Sequence, residues 1–122
     1  MFSLITGQEG AIGENIKAIG IVDRYLEHSR MFIFGNDGDP EVYLSSADFL
    51  PRNFDSRIET IFPLNDKKLR KQIIDYFELQ WSDNVKARIL DDDLSNAYRK
   101  RGRGETKVRG QYAIEDYLRD AN

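Results

Sequence analysis

The run Gly35-Asn36-Asp37-Gly38-Asp39-Pro40, set between the apolar segments Arg30 to Phe34 and Glu41 to Ser45, limits the fold more than any other feature of this sequence. Residues of these types favour tight turns, so a dense cluster of them ends one strand and sends the chain back as its hairpin partner. Around that hairpin other elements can be placed. Asn15 to Val22 reads as a short strand, although Ile16, Ala18 and Ile19 also suit a helical turn. Arg57 to Leu64 alternates in character and reads as a third strand after the hairpin pair, ending at Pro63, and Val85 to Leu90 as a further short strand. From Asp66 to about Ser82 the apolar residues Leu69, Ile73, Phe77 and Trp81 recur every four positions with Ile74 beside them, opposite Lys67, Lys68, Arg70 and Lys71. That spacing predicts an amphipathic helix with a core stripe, capped by Asn65 or Asp66. Asp91 to Thr106 reads as a polar and basic loop. Gln111 to Asp120 reads as a terminal helix with Tyr112 or Ala113, Ile114, Tyr117 and Leu118 inward. Strands and two helices joined by short connections give an α/β (α+β) layered domain.

A chain of 122 residues, 40% of them hydrophobic, has room for one compact domain and a single core. No stretch reaches the roughly 20 apolar residues of a membrane span, and the N-terminus has no signal-peptide pattern, so a cytoplasmic protein is expected. The opening MFSLITG is strand-like with no lead-in, which reads as a start inside an element of something longer. With no cysteine and one histidine, disulfides, zinc-thiolate sites and multi-histidine metal clusters are excluded. The net charge of -3 argues against a dedicated nucleic-acid binder. The charge is uneven: Arg99, Lys100, Arg101, Arg103, Lys107 and Arg109 face only Glu105, a local excess of +5. Interrupted by Gly102 and Gly104, this stretch reads either as a solvated loop or as a track for a polyanion.

Chemistry must come from one imidazole, carboxylates and cations. His28 stands just before the apolar strand, where a side chain projects from a strand end, and an imidazole there can act as acid, nucleophile or phosphate donor. Arg30 points to the same side if the chain is extended, and guanidinium binds phosphate with paired hydrogen bonds. A surface histidine with no role is the plainer alternative. Beyond the hairpin, Ser45, Ser46, Asp48, Arg52 and Asn53 offer hydroxyl, acid, cation and amide groups that can bind phosphate or orient a neighbour. They can equally cap a helix or turn. Arg57 and Glu59 are placed on one face of the third strand, as an ion pair or a phosphate contact. Neither a P-loop nor a GxGxxG pattern occurs, so any ATP is held by another architecture.

In order along the chain, ENIKAIGIVDRYLEHSRMFIF, EVYLSSADFLPRN, RIETIFPL, VKAR and LSNAYRKRG resemble the C-terminal end of the long, phosphohistidine-type polyphosphate kinases. The resemblance covers nearly the whole chain. It implies a phospholipase D-like domain with a mixed sheet packed by helices, the second of two such domains at the end of a longer enzyme. The implied activity is reversible transfer of the terminal phosphate of ATP to inorganic polyphosphate, with Mg2+ and a phosphohistidine formed on the preceding domain. On that basis the partners are ATP or ADP, polyphosphate, the upstream domains and further copies of the enzyme. Nucleic acid and a transmembrane segment are not expected, and the location is cytoplasmic with room for peripheral attachment at the inner membrane face. His28 matches the family's second histidine, which faces ATP and assists as an acid or phosphate-binding group. An arginine that contacts ATP in the family falls just before Met1, so the isolated chain is expected to be inactive. Against the wider phospholipase D pattern HxKxxxxD, Arg30 replaces the lysine and Gly35 stands in place of the aspartate. A supporting role for His28 therefore fits better than a nucleophilic one. The assignment is His28 as the catalytic group, His28, Arg30, Arg52 and Arg57 as ATP and phosphate contacts, and Ser46, Asp48, Asn53 and Glu59 as orienting groups, with no metal ligand. The alternatives are a phospholipase D-like phosphodiesterase and a noncatalytic polyanion-binding module.

Overall fold

The computed structural model describes residues 15–48, 53, 55–91 and 93–121. These fall into two compact units, one containing Glu27–Phe77 and the other Glu78–Asn122 together with the described residues up to Leu26.

The first unit is built on the hairpin. Strands β1 (Ile19–Ile21), β2 (Met31–Phe34), β3 (Glu41–Ser45) and β4 (Ile61–Pro63) are the first four along the chain, and the last three of them form one sheet in the order β2-β3-β4. The turn behaves as its residues dictate: Asn36, Asp37 and Gly38 take φ of 41°, 52° and 94°, a left-handed run that Asn, Asp and Gly tolerate best. That reversal pairs Phe34 with Glu41 and Met31 with Leu44. Val42 on the central strand is buried, and Phe34 meets Tyr43 edge to face at 5.9 Å. β4 is an edge strand, which is where its Pro63 can sit without breaking a ladder. The strand expected over Arg57 to Leu64 is corrected to these three residues. Its partner β3 ends at Ser45, which pairs with Ile61; one further backbone bond, from the Ser46 N–H to the Thr60 carbonyl at 3.0 Å, ends the ladder among the described residues, and Ile58 beyond it is fully exposed at 102%.

Helix α1 (Lys67–Trp81) follows, and Asp66 caps it by accepting the Leu69 N–H at 2.9 Å. The expected core stripe is only partly covered: Ile73, Ile74 and Trp81 are half-buried, whereas Leu69 and Phe77 are exposed, Leu69 at 48%. Strands of three to five residues present too little apolar surface to cover four helical turns.

In the second unit, β1 pairs antiparallel with β5 (Ala87–Ile89), Gly20 opposite Arg88, and the chain ends in α2 (Gly110–Asp120). The α2 packing differs from expectation. Gly110, Gln111 and Ile114 are buried, while Tyr112 and Leu118 are exposed. Gln111 is held inward because its amide pairs with both backbone groups of Tyr25, accepting from its N–H at 3.0 Å and donating to its carbonyl at 2.7 Å. The mixed α/β class is thus borne out. The described strands form two small sheets, each antiparallel, and the direct turn between β2 and β3 is of the kind antiparallel pairing allows.

Candidate functional site

The first unit carries a cleft of about 440 Å³ against its sheet. His28 and Arg30 line it from the chain entering β2, Ser45 and Ser46 from the end of β3, and Ile73 and Tyr76 from α1. Met31, Leu44 and Phe62 give it an apolar floor. The position follows from the local fold: β2 and β3 are in register, so the start of one and the end of the other lie side by side, as the Ser45 N–H to Arg30 carbonyl bond of 2.9 Å shows. Residues 18 positions apart in sequence thereby share one wall.

His28 is exposed at this wall. Arg30 is half-buried, and its guanidinium is fixed from two sides: Nε donates to Asp48 Oδ1 at 2.5 Å and Nη1 to the His28 carbonyl at 3.3 Å. The hydrogen bond that Arg30 donates to Asp48 raises the Arg30 pKa above its ordinary value, so the group stays cationic at any working pH. Asp48 acts on the cleft through Arg30. Ser46 Oγ accepts the Thr60 N–H at 3.0 Å and donates to Glu59 in a short hydrogen bond, so Glu59 orients the one hydroxyl that the end of β3 exposes. Arg57 lies 4.0 Å from Glu59 and is largely exposed. Arg57 and Glu59 are therefore neighbours as expected, but through a loop and not a strand face. Asn53 is 2% exposed, and its Oδ1 has no hydrogen-bond partner among the described residues. Arg52 lies outside the described residues. Of the eight residues singled out from sequence, His28, Arg30 and Ser46 line the cleft, and Asp48 and Glu59 bond to those that do.

One contributor was not legible. The Tyr76 hydroxyl donates to Glu27 Oε1 at 2.9 Å and lies 3.2 Å from Ser29 Oγ, so a single phenol on α1 ties down the residues on either side of His28. Burial is the main cause pushing the Tyr76 pKa up, with Glu27 adding to it, so the phenol remains a neutral donor. The signal available in sequence was its position three residues after Ile73, on the same helix face. No group of three or more carboxylate or histidine side chains able to hold a metal ion occurs among the described residues.

A half-buried guanidinium fixed beside an exposed imidazole and an oriented hydroxyl is an arrangement that can receive an oxyanion of the phosphate class, in a small α/β domain. The sequence pattern of the family described as "Polyphosphate kinase C-terminal domain 2" matches residues 1–111. "Polyphosphate kinase" of Klebsiella pneumoniae is 56% identical over 119 residues, and that of Escherichia coli (strain K12) is 54% identical over 119 residues. Each alignment takes in 98% of this chain and 17% of the relative. A solved structure, "Crystal Structure of Polyphosphate Kinase from Porphyromonas Gingivalis", is similar at a TM-score of 0.85 and 46% identity, over 89% of this chain and 17% of that one. The chain belongs to the polyphosphate kinase C-terminal domain 2 family. It spans about 17% of the length of the curated relatives it matches.

Proposed function

We propose that this chain is the second phospholipase D-like domain of a polyphosphate kinase, and that within the complete enzyme it supplies one wall of the site where the terminal phosphate of ATP is transferred reversibly to inorganic polyphosphate. The observation that carries this reading is the shared cleft of His28 and Arg30 in a chain of that family. In this reading the nucleophile is a histidine of the preceding domain. Its nitrogen forms the new N–P bond as the bond between the terminal phosphorus and the bridging oxygen breaks, and ADP leaves with negative charge on its β-phosphate. His28 stands at that leaving oxygen and donates a hydrogen bond or proton to it, and Arg30, held by Asp48, neutralises charge on the phosphoryl oxygens. Ser46 donates its one proton to a further phosphate oxygen only by giving up its bond to Glu59, and Arg57 is a second cation at the same edge. The transfer reverses with the same groups.

Mg2+ is the metal expected with such a substrate. Here the nearby carboxylates are engaged, Asp48 with Arg30, Glu59 with Ser46 and Glu27 with Tyr76, and they do not assemble into a ligand set. These side chains do not fit a metal site. Leu26, Val22 and Ile58 are strongly exposed, which supports a chain seated against other parts of a longer protein. No helix is long and apolar enough to cross a membrane among the described residues.

The test is His28→Ala in the complete parent enzyme, followed as ATP-dependent polyphosphate synthesis. Loss of about 10²-fold or more is expected for a positioned acid or phosphate donor. Near-normal turnover removes His28 from the mechanism.

A further inference from the structure

The basic stretch of the second unit is organised where the sequence left a loop. Its two ends are structural. Arg109 makes a paired salt bridge with the nearly buried Asp23, with contacts of 2.8 and 2.5 Å, and Arg99 donates to the Trp81 carbonyl. Between them the backbone is fastened by the buried Asn84, whose side chain donates to the Thr106 carbonyl at 2.8 Å and accepts the Val108 N–H at 2.9 Å. The tip is a hydrogen-bonded turn from Gly102 to Glu105, with Gly104 at φ +84°, the value that a type II turn requires at its third position and that glycine supplies. Glu105 closes the turn by accepting the Gly102 N–H at 2.7 Å, so the one carboxylate in the stretch is held on its own backbone, where Asn84, Arg99 and Arg101 also favour its charged form.

What remains is a set of four cations, Lys100, Arg101, Arg103 and Lys107, exposed on a fixed turn around a shallow depression of about 1010 Å³ and forming no ion pair among the described residues. We infer that this turn is a second anion-binding site, separate from the His28 cleft, which holds a stretch of a linear polyphosphate chain away from its reacting end. This rests on the reading given under Proposed function. Exposed cations gain little from any one screened contact, so a patch of four is effective only toward an anion that engages several at once. The lining contains no aromatic side chain, and a single-stranded nucleic acid is normally held by stacking its bases on such groups. A polyanion without bases fits what is present.

The experiment uses the complete parent enzyme with Lys100, Arg101, Arg103 and Lys107 all changed to Gln, beside a charge-preserving Arg101→Lys, Arg103→Lys variant. Direct binding to long inorganic polyphosphate, to short polyphosphate and to single-stranded RNA is measured over a salt series. The four-Gln variant is expected to lose about tenfold or more in affinity for long chains, with a flatter salt dependence. Its binding of short chains and its KM for ATP are expected to stay within about twofold of wild type, and the charge-preserving variant to bind long chains nearly as wild type does. Unchanged affinity for long chains overturns the inference. Loss of RNA binding with long polyphosphate unaffected overturns it in favour of a nucleic-acid surface. A parent enzyme that binds long chains but makes no polyphosphate from ATP refutes the reading of function and leaves this result standing.

Discussion

The two units each carry a polar centre, and the two are built in opposite ways. Around His28 the polar groups are exposed or half-buried, and are linked in pairs that leave donors facing a cleft. Around Asp83 they are sealed in. Asp83 is 0% exposed, its Oδ1 accepts the N–H groups of Val85, Lys86 and Ala87 at 2.7–2.9 Å, and its Oδ2 accepts that of Gly110 at 2.7 Å. The carboxylate thus both shapes the entry to β5 and caps the start of α2, which lacks a side-chain cap of its own. A Cβ at 110 would lie 3.2 Å from Asp83 Oδ2, so any other residue there requires the carboxylate to shift by a few tenths of an ångström. The contrast teaches how to sort polar residues: a group whose bonds are all made internally specifies the fold, and one left with donors at a cavity is available to a ligand.

The sharpest way to break this distinction is to exchange the two losses. Asp83→Ala leaves four backbone N–H groups without their acceptor, at about 1–3 kcal/mol for each that stays dry, so a destabilisation on the order of 4 kcal/mol is expected in urea melts of the chain. His28→Ala, by contrast, should move the same melt by no more than about 0.5 kcal/mol, as for other exposed positions. If the histidine variant melts as early as the aspartate variant, the sorting is wrong.

A smaller effect follows from protonation. Burial by itself raises the Asp83 pKa, but the N–H donors of Gly110, Lys86, Val85 and Ala87 outweigh it and hold the carboxyl below its ordinary value of 3.8. For Asp23 the Arg109 hydrogen bonds lower the pKa from the same value. In both, the folded state binds its proton less readily than the unfolded state. Their stabilisation is therefore present above 3.8 and is lost as pH falls through that value toward the depressed folded pKa. Melting at a series of pH values should show this acid limb, and Asp83→Asn should flatten it. An unchanged acid limb in that variant would assign acid unfolding to other groups.

These comparisons also show what was legible in the sequence and why. The hairpin was, because Gly35 to Pro40 encode their turn locally, and so were β3 and α1, whose patterns run long enough to be read. The convergence of His28 and Arg30 with Ser46 followed from that hairpin, since adjacent strands bring their ends together. Bonds that close over distance were not legible. Nothing near Asp83 announces that Gly110 will donate to it, nor does Gln111 signal that it will be held in by Tyr25. The alternation around Ile58 misled for a related reason, because a strand exists only where a partner continues, and β3 had ended. Arg57 tests the boundary from the other side. Its long, exposed contact with Glu59 should contribute under about 0.5 kcal/mol, so Arg57→Gln is expected to leave the melt unchanged and to raise the KM for a phosphate substrate in the complete enzyme.

Tyr76 is the residue that belongs to neither kind of centre, and the smallest predicted effect is the most informative about it. Its hydroxyl is tied to Glu27 and Ser29, not to His28, so it is a positioning residue that sets where the intervening imidazole points. Tyr76→Phe keeps the ring and its packing and removes only those bonds, at about 1 kcal/mol or less of stability because they are partly solvated. A misplacement of a reacting group by 1 Å costs about 10²-fold, so a partial loosening of His28 should lower kcat of the complete enzyme by about tenfold, with KM little changed. A general structural role would produce the same loss in any background. Positioning predicts otherwise: in a His28→Ala enzyme, Tyr76→Phe should cost nothing further, because the group it holds is gone. Equal losses in both backgrounds would make Tyr76 a packing residue and leave the cleft to the strand ends alone.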